Sequence, residues 1–269
     1  MFASPFELQS IHIYPIKSLG GFSVNSAQAL HKGLEYDRRW LLVDENGHFL
    51  TQRAWPIMAT FKVELEKEHL LVTNTQADPQ SIRIPLLETL GAKYWVKVWE
   101  NELWAEEVNP ALSQWFANVL NFPCRLVKMT DVSQRQVPER ETTNGEPVSF
   151  ADAYPYLVAG VASLADLNQR LEVSVPMNRF RPNLVFTGGT PFEEEILKAF
   201  KIGNATFKMS HPCSRCKMIT TDQATGEIIG KEPLKTLATY RTQDNKVLFG
   251  MNALLIQEGL ITVGDIVKF

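Results

Sequence analysis

The sequence predicts a mainly β protein with a few helices, an α+β fold, and three observations predict it. Short stretches rich in β-branched and aromatic residues recur at regular spacing through about the first hundred residues. Asn46-Gly47 stands between two of them as a hairpin-turn signal. Helical spacing of apolar residues is confined to a few short segments. At 269 residues, 45% of them hydrophobic, the chain suffices for one large domain or two modest ones and can bury a core without covalent staples.

The elements follow in order. Gln9 to Tyr14 reads as a strand stopped by Pro15. Arg39 to Val43 and His48 to Gln52 flank the Asp44–Gly47 turn. Phe61 to Leu65 and Leu70 to Thr73 form a second hairpin, and Ser81 to Ile84 and Tyr94 to Trp99 continue the pattern of a small barrel or sandwich. Asn109-Pro110 opens a helix through Leu120, with Leu112, Trp115, Phe116 and Leu120 at helical spacing. Thr130 to Pro147 is polar and aperiodic, a long loop. Ala162 to Leu171 reads as a helix with Ser163 as its cap. Leu184 to Phe186, Ala205 to Met209, Ala253 to Ile256 and Ile266 to Phe269 are strand candidates, and Pro233 to Tyr240 is a short helix started by proline. A boundary is expected near residues 120–130, with the two parts tightly packed.

Composition excludes several classes. A net charge of −3 provides no global field for nucleic acid or anionic membranes, so an anion site must be built locally. No apolar run reaches the roughly eighteen to twenty residues that cross a bilayer. The first ten residues lack a basic start followed by an apolar stretch, so no secretory signal is expected. Three cysteines, two in one motif, do not make a disulfide framework. A reduced, cytoplasmic protein is expected.

The sharpest local feature is His211-Pro212-Cys213-Ser214-Arg215-Cys216. Four readings compete. A structural zinc site wants four protein ligands, and only Cys124 and scattered histidines remain. A dithiol redox couple wants its first cysteine at a helix N-terminus, whereas Lys217 to Asp222 reads as a strand. Buried inert cysteines are common, but Arg215 and Lys217 argue against a purely apolar setting. The fourth reading is a single thiolate ligand for a soft metal, kept ionised by neighbouring cations.

Three other places put cations beside turns. Lys17 and Ser18 leave a strand through Pro15 and precede Gly20-Gly21, where the backbone can approach a phosphate. Asp37-Arg38-Arg39 enters one strand, and Arg179-Phe180-Arg181 precedes another. Arginine's planar fork suits bidentate phosphate binding. Asp222 to Glu227 fits a tight turn with a structural role.

Taken in order, these pieces resemble the MOSC superfamily, named for the C-terminal domain of molybdenum cofactor sulfurase. The branch is the one with the mitochondrial amidoxime-reducing component and bacterial reductases of N-hydroxylated purines. The resemblance is carried by YPIKSLGG (Tyr14 to Gly21), DRRWLLVD (Asp37 to Asp44), FADAYP (Phe150 to Pro155) and ASLADLNQRL (Ala162 to Leu171). NRFRPNLVFTGGTPFEE (Asn178 to Glu194), CSRCKMITTDQATGE (Cys213 to Glu227), KEPLKTLATYR (Lys231 to Arg241) and LFGMN (Leu248 to Asn252) complete it. It covers nearly the whole chain.

The resemblance implies an N-terminal β-barrel-like domain over 1–122 packed on a MOSC β-barrel domain over 123–269, with a cofactor between them. It implies the molybdenum cofactor, a Mo-molybdopterin whose metal takes one protein thiolate, Cys216 by motif position. Cys213 is then a neighbour. Lys17, Ser18 and Arg38 match positions that hold the pterin and phosphate end. Asp152, Arg181, Ser214, Arg215 and Asn252 match further cofactor-contacting positions, and Asp152 is also a candidate catalytic residue. Ala153 and Tyr154 depart from relatives that carry small hydroxyl residues there.

The implied activity is reduction of N–O bonds in small N-hydroxylated substrates. No cysteine pattern remains for an iron–sulfur cluster, so the electrons are expected from a separate electron-transfer protein or reductase. The alternative is sulfur transfer through a persulfide on Cys216.

Overall fold

The computed structural model describes residues 5–76, 79–130, 133–138 and 145–269. As the sequence predicts, strands dominate. They form four sheets, with three α-helices among the described residues. The largest sheet runs Ala199–Ile202, Ala205–Arg215, Lys246–Gln257, Tyr156–Gly160, Leu184–Thr187, Glu7–Ile13 and Phe22–Val24, with Thr242–Gln243 paired to Lys246–Gln257. A four-stranded sheet orders Trp40–Val43, Arg125–Lys128, Asn101–Glu107 and Lys93–Val98. Two three-stranded sheets comprise Gly259–Thr262, Ser26–Leu30 and Gly33–Leu34, and Phe61–Leu65, His69–Asn74 and Gln80–Pro85.

The two halves of the chain interleave. Glu7–Ile13 pairs antiparallel with Leu184–Thr187, and Ser26–Leu30 pairs with Gly259–Thr262. One core gathers Leu8, Ile11 and Ile13 with Phe186, Phe200 and Phe207. A second gathers Trp40, Phe61 and Phe116. Strand pairing therefore fixes Tyr14 to Ser18, which leaves the first strand, against the sheet that carries the cysteine motif.

Local chemistry explains the helices. Asn109 caps Pro110–Leu120 by accepting from the Ala111 N–H at 2.8 Å, Pro110 fills the first turn, and Asn121 closes the helix in the left-handed region at φ 48°. Leu112, Phe116 and Leu120 are buried at their helical spacing. Helix Val161–Arg170 is the crossover between the parallel strands Tyr156–Gly160 and Leu184–Thr187, the connection that parallel pairing requires. Its N-cap is Gly160. Ser163 is instead buried one turn in, its hydroxyl 2.7 Å from both Glu194 carboxylate oxygens.

Other departures have physical causes. Asn46-Gly47 does turn the chain, Gly47 at φ 80° with its N–H on the Asp44 carbonyl. Yet Trp40–Val43 takes Arg125–Lys128 as its ladder partner, while His48 to Gln52 contributes only isolated bridges, Phe49 to Val43 and His48 to Lys97. Lys217 to Thr220 is a 3₁₀ turn rather than a strand. Ile266 and Lys268 make isolated bridges only. The expected long loop at 130–147 lies partly outside the described residues. No helix among the described residues is long and apolar enough to cross a membrane.

Candidate functional site: a cation-walled cavity with an exposed thiol

Lys17, Ser18, Arg38, Asp152, Arg181, Ser214, Arg215, Cys216 and Asn252 all line one cavity of about 360 Å³. They come from far-separated stretches of chain. Interleaved strand pairing brings the turn after the first strand, the 150–155 segment and the end of Ala205–Arg215 to one place.

Each cation is held in a built setting. The Lys17 ammonium donates to the Phe150 carbonyl at 2.8 Å and to Asp152 Oδ1 at 2.6 Å. Its side chain is 7% exposed, and burial pulls its pKa down to about 8 although Asp152 pushes it up. Burial pushes the Asp152 carboxyl up in turn, but Lys17, the Trp99 indole and Arg53 hold it well below the usual carboxylate range. Arg38 donates twice to the fully buried Asp37, which also accepts from the Tyr14 N–H at 2.8 Å. The guanidinium carbons of Arg38 and Arg181 each lie 4.3 Å from the centroid of the Tyr14 ring. Arg38 Nη2 reaches the Arg181 carbonyl at 3.3 Å. One aromatic side chain thus ties together cations 143 positions apart.

Ser18 (φ 70°), Arg38 (φ 49°) and Arg181 (φ 54°) all occupy the left-handed region. For residues with a Cβ this conformation costs on the order of 1–2 kcal/mol each, and such strain clusters where a chain positions ligand-binding groups. The surrounding bonds enforce it. Gln52 Nε2 donates to the Ser18 carbonyl at 2.7 Å, the Arg38 N–H to the Tyr14 carbonyl at 2.9 Å, and the Arg181 N–H to the Asn178 carbonyl at 3.2 Å.

The cysteine motif ends the long strand Ala205–Arg215. Its register against Lys246–Gln257 shifts between Met209 and Pro212 and again between Pro212 and Ser214. Bulges re-aim side chains that strict alternation would send to opposite faces, and Pro212, which has no N–H to donate, suits one. His211, Cys213, Ser214, Arg215 and Cys216 consequently all line the cavity. Cys216 is exposed and Cys213 half-buried. The Arg215 guanidinium turns to Cys213, with Nη1 2.9 Å from its sulfur, so the adjacent cation of the motif sits on the first cysteine.

The structure brings in residues the sequence reading missed. Arg53 lines the cavity, stacked 4.4 Å from the Trp99 ring centroid, and the Trp99 indole N–H donates to Asp152 Oδ1 at 3.2 Å. Arg135, buried, donates to the carbonyls of Ser149 (2.7 Å), Ala151 and Asp152 (2.8 Å), fixing the segment that carries Asp152. His211 and Tyr154 also line the wall. Both had a local signal, His211 two residues before the first cysteine and Tyr154 within the Phe150 to Pro155 stretch. Conversely, Arg39 donates to the Lys32 carbonyl, and Arg179 to Asp222 and the Thr220 carbonyl; both lie outside the lining. Gly20 and Gly21 also lie outside it. A Cβ on Gly20 would sit 2.4 Å from the Phe61 carbonyl oxygen, so the close approach there is chain to chain, not chain to ligand.

The donor set defines what the cavity suits. Among the described residues, Lys17, Arg38, Arg53, Arg181, Arg215 and Lys246 line it against the single carboxylate of Asp152, and the buried Nε of Arg215 finds no acceptor. That surplus favours an anionic, phosphate-bearing group. Among the described residues no cluster of three or more His, Cys, Asp or Glu could cage a metal ion. The exposed Cys216 thiol in the lining is a soft donor that could serve as one ligand to a metal.

Fold and cavity together define a class: an interleaved β protein whose single exposed thiol faces a cation-walled cavity. The comparisons give that class its family. The family model described as "MOSC N-terminal beta barrel domain" matches residues 5–123, and the one described as "MOSC domain" matches residues 145–268. Mitochondrial amidoxime reducing component 2 of Bos taurus is 32% identical, over 96% of this chain and 81% of that protein. Mitochondrial amidoxime-reducing component 1 of Homo sapiens is 32% identical, over 94% and 80%. Molybdenum cofactor sulfurase of Oryza sativa subsp. japonica is 34% identical over 92% of this chain, which spans 32% of that protein's length. The chain belongs to the MOSC family.

Proposed function

We propose that the protein is a molybdenum-cofactor-dependent oxidoreductase that reduces N-hydroxylated compounds, with Cys216 as the protein's ligand to the metal. The observation that carries this reading is the exposed Cys216 thiol facing the same cavity as Lys17, Arg38 and Arg181. The relatives named amidoxime-reducing components, matched over about four fifths of their length, support the substrate class. The cavity then lies between units of 1–122 and 123–269.

When bound, the cofactor would supply two-electron redox chemistry at the metal. The chain's own residues bind and orient it. Lys17, Arg38 and Arg181 would offset phosphate charge, Ser18 and Ser214 would present hydroxyls, and the Cys216 thiolate would ligate the metal. Asp152, held as a carboxylate, would accept from a cofactor amine. Electrons come from a separate electron-transfer protein. Three free cysteines suit a reducing compartment, and a cytoplasmic location follows from that reading.

Molybdenum content and turnover of benzamidoxime with reduced methyl viologen test it. Wild-type protein from a cofactor-competent host carries near-stoichiometric metal and turns over, whereas Cys216→Ser loses turnover. A serine variant with wild-type turnover would end the assignment. The second reading, sulfur transfer through a Cys216 persulfide, draws on the match to molybdenum cofactor sulfurase. It requires a persulfide mass shift on Cys216 in protein without molybdenum.

A further inference from the structure

Reduction of an N–O bond consumes protons as well as electrons. The N–O bond takes up two electrons, here from a reductant such as reduced methyl viologen or its protein counterpart. The nitrogen keeps its electron pair and gains one proton, and the oxygen leaves as water after gaining the other. A hydroxyl is a poor leaving group unless it is protonated as the bond breaks, so the cavity needs an acid beside the substrate.

Most groups in its wall are unsuited. The Lys17 ammonium is tied to Phe150 and Asp152, and Asp152 is held as a carboxylate. The Tyr156 hydroxyl is committed to the Leu30 carbonyl, and burial pushes its pKa strongly up. Guanidinium groups do not release protons near neutrality. The one imidazole in the lining is His211, the side chain whose ordinary titration range spans neutral pH.

Its setting is built. His211 lies within the register shift between Met209 and Pro212 of the strand Ala205–Arg215, and a second shift follows between Pro212 and Ser214. Ser210 Oγ lies 3.1 Å from Nδ1, Asn252 Nδ2 lies 3.4 Å from Nε2, and the Tyr154 ring meets the imidazole edge-on at 4.8 Å. Ser210 at Nδ1 and the aromatic wall orient the ring, while Nε2 has the longer contact, 3.4 Å from the donor-only Asn252 amide nitrogen, which a substrate oxygen displaces when it takes the proton. Asn252 thereby acquires a role beyond lining the cavity: its amide touches the histidine.

We propose that His211 is the acid that protonates the departing oxygen of the N-hydroxylated substrate, with Asn252 and Tyr154 as positioning residues. The inference rests on the reductase reading above. Among the described residues, the titratable and charged groups that share the cavity wall with His211 include Asp152 and Tyr154 from the 150–155 segment, Lys246 from the partner strand, and Cys213 and Arg215 from its own. Their surplus of positive charge is offset when an anionic cofactor fills the cavity.

The test compares wild-type holoprotein with His211→Gln and His211→Ala, using benzamidoxime and reduced methyl viologen across neutral pH. The expected kcat falls about a hundredfold or more, with KM changed by less than about threefold. Molybdenum content and thermal midpoint stay at wild-type values, which a merely structural role would not leave intact. Wild-type kcat declines as pH rises through the imidazole titration and the variants lose that limb. Added imidazole restores part of the turnover of His211→Ala. A His211→Gln protein with wild-type kcat and an unchanged alkaline limb overturns the proton-donor role and leaves the reductase reading standing. Loss of turnover in proportion to lost molybdenum overturns it too, making His211 a cofactor-retention residue. Wild-type protein that carries molybdenum but reduces no N-hydroxylated compound overturns both.

Discussion

Lys17 and Asp152 meet at 2.6 Å across 135 positions of sequence, and the pair is lopsided: the lysine side chain is 7% exposed, the aspartate 65%. Burial pulls the ammonium down, and Lys17 titrates near pH 8 in the fold against an ordinary value of 10.5. Between those two values the unfolded chain holds more protons than the folded one, so this group makes folding more favourable as pH rises through that window. The charge that attracts an anion is lost over the same window. Binding of inorganic pyrophosphate, followed by calorimetry, is expected to weaken as pH rises through about 8. Asp152→Asn, which removes the anion that raises the Lys17 pKa, moves that midpoint lower. Lys17→Met abolishes the dependence, and a Lys17→Met protein that keeps the same pH profile would contradict the assignment.

Arg135 carries a prediction on stability. Its buried guanidinium donates to three carbonyls of one short segment, Ser149, Ala151 and Asp152, and to Asn101 Oδ1 at 3.0 Å. Burial pulls its pKa to about 10, so it stays charged at neutral pH. Arg135→Met leaves those acceptors without their donor, at a cost of roughly 3–5 kcal/mol by analogy with breaking a buried charged network. Urea unfolding measures it. A loss under about 1 kcal/mol would mean that water or a neighbour replaces the guanidinium.

Tyr14 separates packing from charge. Its ring sits 4.3 Å from two guanidinium carbons and is 5% exposed. Tyr14→Phe keeps the ring and is expected to retain pyrophosphate affinity within about twofold. Tyr14→Ala removes the ring and is expected to cost about 3–5 kcal/mol of stability and to weaken pyrophosphate binding, because Arg38 and Arg181 lose their shared support. Equal affinities for both variants would show that Asp37 and the backbone orient the arginines alone.

Much of the architecture was legible because it follows local rules. Pro110–Leu120 announced itself through a cap, a proline and apolar spacing, and Phe61–Leu65 with His69–Asn74 through alternation. Arg125–Lys128 and Asn101–Glu107 escaped. The first is only four residues long, and the second carries charges on the face it turns outward. The 3₁₀ turn after Cys216 escaped because Met218, Ile219 and Thr220 have strand-like composition, while their geometry is set by the tertiary position of the motif. At the site, the nine residues named from family motifs do line one cavity. Arg53 and Arg135 had no motif to flag them, since stacking on Trp99 and bonding to distant carbonyls exist only after folding. Trp99 was read only as the end of a strand, and its bond to Asp152 spans 53 positions.

Gly20 tests the distinction between a glycine that serves a ligand and one that serves the fold. It lies two residues after Ser18, where the sequence suggested room for a phosphate. An added Cβ would instead meet the Phe61 carbonyl oxygen at 2.4 Å and its carbon at 3.4 Å, both backbone atoms of a strand that cannot move alone. The Gly20 N–H also donates to that carbonyl at 3.0 Å, so relief of the clash would stretch a hydrogen bond. Gly20→Ala is therefore expected to lose about 1–3 kcal/mol, the usual cost of overpacking. Pyrophosphate affinity of the folded fraction, measured well below its Tm, is expected to stay within about twofold of wild type. The opposite pattern, full stability with affinity lost, would return Gly20 to the anion site and require the turn to bind its ligand through backbone N–H groups.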